Sequence, residues 1–152
     1  NGYLDRGQTT LVNYNGGWFY VVNGYLDWSQ TTLVPYNGLW FYVENAVVKW
    51  DCDTLVNYYG DWYYVKGGLL ASDYTGLVYF NGGWFYVVNG YLDWSQNTLA
   101  ELNGIWFYIE NGVIGWEYSG EFEYDDSTAI IENGVVKLWR KSAAPGEINP
   151  VY

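Results

Sequence analysis

The stretch Asn15–Gln30, NGGWFYVVNGYLDWSQ, occurs twice in the chain, unchanged, the second copy being Asn81–Gln96. Two Asn-Gly pairs, Asn15-Gly16 and Asn23-Gly24, bracket the run Gly17–Val22, which is rich in aromatic and β-branched residues. Asn-Gly favours a type I′ turn because both central positions of that turn need positive φ. The run between the turns has strand chemistry. Nothing in the chain sustains a helical period. The stretch therefore reads as strand, tight turn, strand, tight turn, strand, and then a loop of the type Ser29-Gln30-Thr31-Thr32.

To either side the pattern recurs every 22 residues, with units starting at Asn1, Asn23, Asn45, Gly67, Asn89, Asn111 and Asn133. Trp marks the period at Trp18, Trp40, Trp62, Trp84 and Trp106, and the next position in that column is Thr128. We therefore expect one solenoid over 1–141, about six and a half repeats long, with 111–141 as degenerate capping units and 142–152 as a tail. The two identical stretches lie 66 residues, or three units, apart. Duplication of a three-unit block and three units per superhelical turn both account for that spacing.

Two-residue turns set the register. Tyr14 should face Gly17, Val12 face Phe19, and Leu11 face Tyr20. Across the second turn, Val22 should meet Tyr25, Val21 meet Leu26, Tyr20 meet Asp27, and Phe19 meet Trp28. One face then carries Val12, Tyr14, Phe19, Val21, Leu26 and Trp28. This face is apolar throughout and is assigned to the core, together with the column Trp28, Trp50, Trp94 and Trp116. The opposite face carries Leu11, Asn13, Trp18, Tyr20, Val22, Tyr25 and Asp27. The Val22 position becomes Glu44, Lys66 and Glu110 elsewhere, so this second face is expected to be aromatic and partly exposed. One unit cannot bury its apolar face alone, so the fold class is all-β, a solenoid of stacked β-hairpin units.

Composition narrows the functions. Ten Trp, 18 Tyr and 6 Phe make 22% of the 152 residues aromatic, and the formal net charge is −11. So acidic a chain will not track a phosphate backbone, and nucleic acid is excluded as a partner. No apolar run reaches the roughly 18 residues of a membrane-spanning helix, and no membrane insertion is expected. There is no His, which removes the commonest general base and metal ligand. Cys52 is the only cysteine, so no intrachain disulfide can form. The chain opens on Asn1-Gly2 without Met and reads as a fragment of a longer protein.

The segments NGGWFYVVNG (15–24), NGLWFYVEN (37–45), YGDWYYVKGG (59–68) and NGIWFYIENG (103–112) resemble the cores of cell-wall-binding repeats. That group includes the choline-binding repeats of Gram-positive surface proteins, glucan-binding repeats and the repeats of clostridial toxins. Thr75-Gly76-Leu77 resembles the Thr-Gly-Trp that opens choline-binding units. The resemblance implies a hairpin solenoid, often with three units per turn, whose ligands sit between successive hairpins against aromatic rings. Two features depart from it. The period is longer, and Leu11, Leu33, Leu55, Leu77 and Leu99 stand where the family has a Trp that walls its choline cage.

The candidate ligand-binding residues are Trp18, Tyr20, Tyr25 and Asp27, repeated as Trp84, Tyr86, Tyr91 and Asp93, with Trp40 and Tyr42 between them. A flat ring beside a carboxylate can stack on a sugar whose hydroxyls the carboxylate accepts. The same pair can hold a quaternary ammonium by cation–π attraction. Alternatively these rings only pack against the next unit. Carboxylate pairs such as Asp51 with Asp53 show none of the spacing in a cleft that a glycosidase needs. No catalytic residue, cofactor or metal is expected. The reading is a non-catalytic, secreted cell-surface module that binds cell-wall polysaccharide, teichoic acid or host glycan by aromatic stacking. Its alternatives are a structural spacer or protein-adhesion solenoid and a choline-binding module, and self-association stays open.

Overall fold

A computed structural model describes residues 7–141. The start of the first repeat (1–6) and the expected tail (142–152) lie outside the described residues. All regular structure among the described residues is β. The first three strands are β1 (Thr10–Tyr14), β2 (Gly17–Val22) and β3 (Tyr25–Leu26). The same trio recurs as β4 (Thr32–Tyr36), β5 (Leu39–Glu44) and β6 (Val47–Val48), then β7 (Thr54–Tyr58), β8 (Asp61–Lys66) and β9 (Leu69–Leu70). It continues as β10 (Gly76–Phe80), β11 (Gly83–Val88) and β12 (Tyr91–Leu92), then β13 (Thr98–Leu102), β14 (Ile105–Glu110) and β15 (Val113–Ile114). The last trio is β16 (Gly120–Tyr124), β17 (Ser127–Glu132) and the longer β18 (Val135–Lys141).

The Asn-Gly turns are left-handed at both positions, with φ of 51° at Asn15 and 83° at Gly16. They produce the expected register of Leu11 with Tyr20, Val12 with Phe19 and Tyr14 with Gly17. Val21 likewise pairs with Leu26 and Val22 with Tyr25. The third strand, however, stops at Leu26, so the expected pairs Tyr20–Asp27 and Phe19–Trp28 do not form in the ladder. Asp27 ends the strand, because its Oδ1 accepts hydrogen bonds from the Ser29 N–H (3.0 Å) and hydroxyl (2.6 Å) and so bends the chain away. Phe19 pairs instead with Val47 of the next repeat.

The chain divides into two compact units. The first runs to Tyr74 and includes Asn89–Tyr91. Within it, successive hairpins are tied by one recurring bond: the Tyr20 N–H donates to the Ala46 carbonyl (2.7 Å), Tyr42 to Gly68 (2.8 Å) and Tyr64 to Gly90 (2.8 Å). The second unit comprises Thr75–Val88 and the chain from Leu92 onward. The same link recurs there from Tyr86 to Gly112 (2.7 Å) and from Tyr108 to Gly134 (2.8 Å). The backbones come so close at this link that a Cβ on Gly68 would lie 2.6 Å from the Lys49 carbonyl oxygen.

Packing corrects the assignment of faces. Leu11 lies in one cluster with Val34, Val43 and Val48 of the next hairpin, and Leu33 and Tyr42 lie in one with Val56 and Val65 of the third. In the second unit Leu77 packs with Ala100, Ile109 and Ile114, and Leu99 and Tyr108 pack with Ala129 and Ile131. Within each unit the back of one hairpin thus rests on the front of the next, and residues of both faces are buried. The face expected to be partly exposed holds the most consistently buried Leu column, Leu11, Leu33, Leu55, Leu77 and Leu99. Conversely, Tyr14, expected in the core, is exposed. The Trp column assigned to the core is also at the surface, with Trp28 57%, Trp50 49%, Trp94 48% and Trp116 52% exposed. These Trp residues follow the end of the third strand, so ladder alternation no longer governs which way they point.

Candidate functional site

Trp18, Trp40, Trp84 and Trp106 are each the second residue of their strand, on the back face, where the following hairpin approaches. Trp18 meets Tyr36 at 5.3 Å between ring centroids, Trp40 meets Tyr58 at 5.4 Å, and Trp106 meets Tyr124 at 5.5 Å, all edge-on. Such pairs contribute roughly 0.5–1.5 kcal/mol beyond the area they bury. Trp84 has Leu102 in its cluster from the next hairpin and takes an edge contact from Tyr79 of its own, at 5.2 Å. Tyr42 and Tyr108 are buried, and Tyr20 and Tyr86 are half-buried. Burial pushes all four phenols above their ordinary range.

The remaining candidates lie in other surroundings. Tyr25 and Tyr91 are exposed on the short third strands. The Tyr91 hydroxyl reaches Asp61 (3.4 Å), and its ring meets Tyr63 at 5.6 Å. Both oxygens of Asp27 are engaged in its own turn, Oδ1 by Ser29 and Oδ2 by the Gln30 side-chain amide (3.0 Å). Asp93 repeats this with Ser95 and Gln96. Hydrogen bonds from the Ser hydroxyl, the Gln amide and the Ser N–H hold both carboxyls below the usual range. The structure therefore gathers Trp18 and Tyr20, with their equivalents, against the next hairpin. It uses the two aspartates to end strands, and it leaves Tyr25 toward solvent.

A pocket of about 150 Å³ opens between the second and third hairpins, lined by Leu33, Trp40, Tyr58, Tyr63 and Leu70. Trp40 is the one residue of this lining named from sequence as a candidate. Tyr58 and Tyr63 are the third-repeat equivalents of Tyr14 and Phe19, on the face opposite that of the Trp18 column, and the front-to-back stacking brings the two faces together. The signal for this lay in the chain as two apolar columns on opposite sides of one hairpin, more than a single buried face can use. Cys52 packs beside this cluster. Burial first, and then the charges of Glu44, Asp51 and Asp53, raise its thiol pKa and disfavour the thiolate. Among the described residues no group of acidic or Cys side chains has the arrangement of a metal site. No helix is long and apolar enough to cross a membrane.

Comparison with known proteins bears on this arrangement. The family model of the choline-binding repeat matches residues 8–27, 29–48, 53–70, 73–93 and 95–114. No curated protein sequence matches the chain. Among solved structures, CbpJ from Streptococcus pneumoniae TIGR4 is similar at 16% identity and a TM-score of 0.39, covering 91% of this chain and 51% of that one. Choline binding protein F from Streptococcus pneumoniae, in the presence of a peptidoglycan analogue, is similar at 18% identity and a TM-score of 0.36, covering 85% and 41%. An alternansucrase in complex with isomaltononaose is similar at 16% identity and a TM-score of 0.42, covering 88% and 11%. The chain thus spans about half of CbpJ and less of the other two. The five repeat matches extend over well more than half of the sequence, and the chain belongs to the choline-binding repeat family.

Proposed function

We propose that the chain is a non-catalytic wall-anchoring module of a secreted surface protein, and that it holds quaternary ammonium groups carried by a cell-wall polymer. The observation that supports this is the inter-hairpin pocket with three rings, Trp40, Tyr58 and Tyr63, over the apolar floor of Leu33 and Leu70. A quaternary ammonium has no N–H to donate, so aromatic faces and apolar contacts are what can hold it. Each ring contributes roughly 0.5–2 kcal/mol as desolvation grows. The net charge of −11 draws cations toward the surface. Leu33 stands where the family has Trp, so the pocket has a softer wall and a lower affinity is expected. Asp27 and Asp93, both held ionised, are unsuited to act as general acids.

Titration of the full chain with choline chloride, followed by tryptophan fluorescence, tests the proposal. Saturable quenching that is lost in Trp40→Ala supports it. Absence of any response in the folded wild type sinks it. A scaffold reading, in which the rings serve only stacking, is favoured by the closed Trp18–Tyr36 contact, and it predicts that flat titration.

A further inference from the structure

From the structure we infer a second ligand site, distinct from the inter-hairpin pocket: a groove beside Trp116 that binds a neutral saccharide chain. The groove has a volume of about 630 Å³ and is bordered by Glu110, Val113, Ile114, Trp116, Glu117 and Tyr118. Trp116 is 52% exposed yet fixed in place, because Phe107 meets it edge-on at 5.7 Å and 78°. An indole half in water and held rigid offers a flat apolar face at little further entropic cost, and a pyranose ring presents the matching C–H face. Tyr118, which lines the groove, is stacked on Tyr108 at 4.0 Å and 26°.

One sequence difference equips this repeat. The position of Asp27 and Asp93 is Gly115 here, and a Cβ on Gly115 would come within 3.0 Å of the Tyr108 ring. Glycine lets Tyr108 close on Tyr118, and no aspartate ties the turn. The exposed carboxylates of Glu110 and Glu117 border the groove instead, and among the described residues neither forms an ion pair. Carboxylate oxygens accept hydrogen bonds from sugar hydroxyls, which are donors. The acidity of the chain disfavours anionic polymers. The groove is too open for its one exposed indole to enclose a small cation, which needs rings on several sides. It has room for more than one sugar ring.

Affinity electrophoresis of the full chain through gels containing dextran, laminarin or glycol chitin tests this. Retardation by at least one of them is expected, unaltered by added 0.5 M NaCl (about the range that abolishes exposed charge attraction). Trp116→Ala should weaken it tenfold or more. The double variant Glu110→Gln, Glu117→Gln should weaken it several-fold, and both variants should keep the wild-type choline titration. No retardation by any of the three overturns the inference. Wild-type retardation in Trp116→Ala, or retardation abolished by salt, also overturns it. The choline experiment reports on Trp40 alone, so the two sites fail or stand separately.

Discussion

The Trp40 indole of the second hairpin meets the Tyr58 ring of the third with centroids 5.4 Å apart and planes inclined at 68°. Trp18 with Tyr36 and Trp106 with Tyr124 repeat this contact at 60°. The residue on the back of one hairpin and the residue on the front of the next thus form the unit of stacking. A double-mutant cycle on Trp40→Ala and Tyr58→Ala should give a coupling of about 0.5–1.5 kcal/mol in urea unfolding. Additive single effects would show that the rings do not interact.

Ile109 is fully buried between the fourth and fifth hairpins, whereas Ile105 on the same strand is half exposed. Ile109→Ala should cost about 2–5 kcal/mol, and Ile105→Ala less than about 0.5 kcal/mol. Thermal melts of the two variants check the difference. Equal losses would contradict the packing described above.

Ala46 has φ of 67°, whereas Gly24, Gly68, Gly90, Gly112 and Gly134 hold the same repeat position. A left-handed conformation costs a residue with a Cβ roughly 1–2 kcal/mol. Ala46→Gly should therefore stabilise the chain by about 1 kcal/mol, after the glycine's extra unfolded-state entropy is set against the relief. Gly68→Ala should destabilise by more than 1 kcal/mol, because its Cβ would also meet the Lys49 carbonyl. Chemical denaturation midpoints read both signs.

The carboxyls of Asp27 and Asp93 titrate below the usual range because Ser and Gln side chains donate to the ionised form. A depressed folded-state pKa stabilises above the unfolded value, and that stability is lost as pH falls through the folded one. The melting temperature should therefore drop as pH is lowered below about 4, the ordinary aspartate value. The double variant Asp27→Asn, Asp93→Asn should lose less over that window. Melts at a series of pH values measure this, and identical slopes for variant and wild type would contradict the role given to the turn.

Much of the fold is legible in the chain. The Asn-Gly pairs set both turns, and the register of β1 with β2 follows from their length, as seen in Val12 with Phe19. A finer signal was also present. Thr31, Asp53, Asn97 and Ser119 share one column, and each accepts a hydrogen bond from the backbone N–H fourteen residues on, at 2.7–3.0 Å. Only short oxygen-bearing side chains occupy that column, as the bond requires. The Trp28 column misled because alternation was carried past Leu26, where Asp27 had already ended the strand. Tyr58 and Tyr63 were not read as ligand-facing because their own hairpin shows them on the side away from Trp62, the equivalent of Trp40.

Sequence alone determined the repeat, the turns and the register of the two long strands of each hairpin, because all of these rest on interactions within about twenty-two residues. The tertiary structure decided which faces are closed. Two apolar faces on one hairpin leave open how hairpins stack, and that is settled only when Tyr20, Tyr42 and their equivalents bond to the next repeat. That stacking closes Trp18 onto Tyr36, gathers Trp40, Tyr58 and Tyr63 around a pocket, and leaves Trp116 facing water. Burial belongs to the pair of neighbouring hairpins, and no column of residues in one repeat carries it.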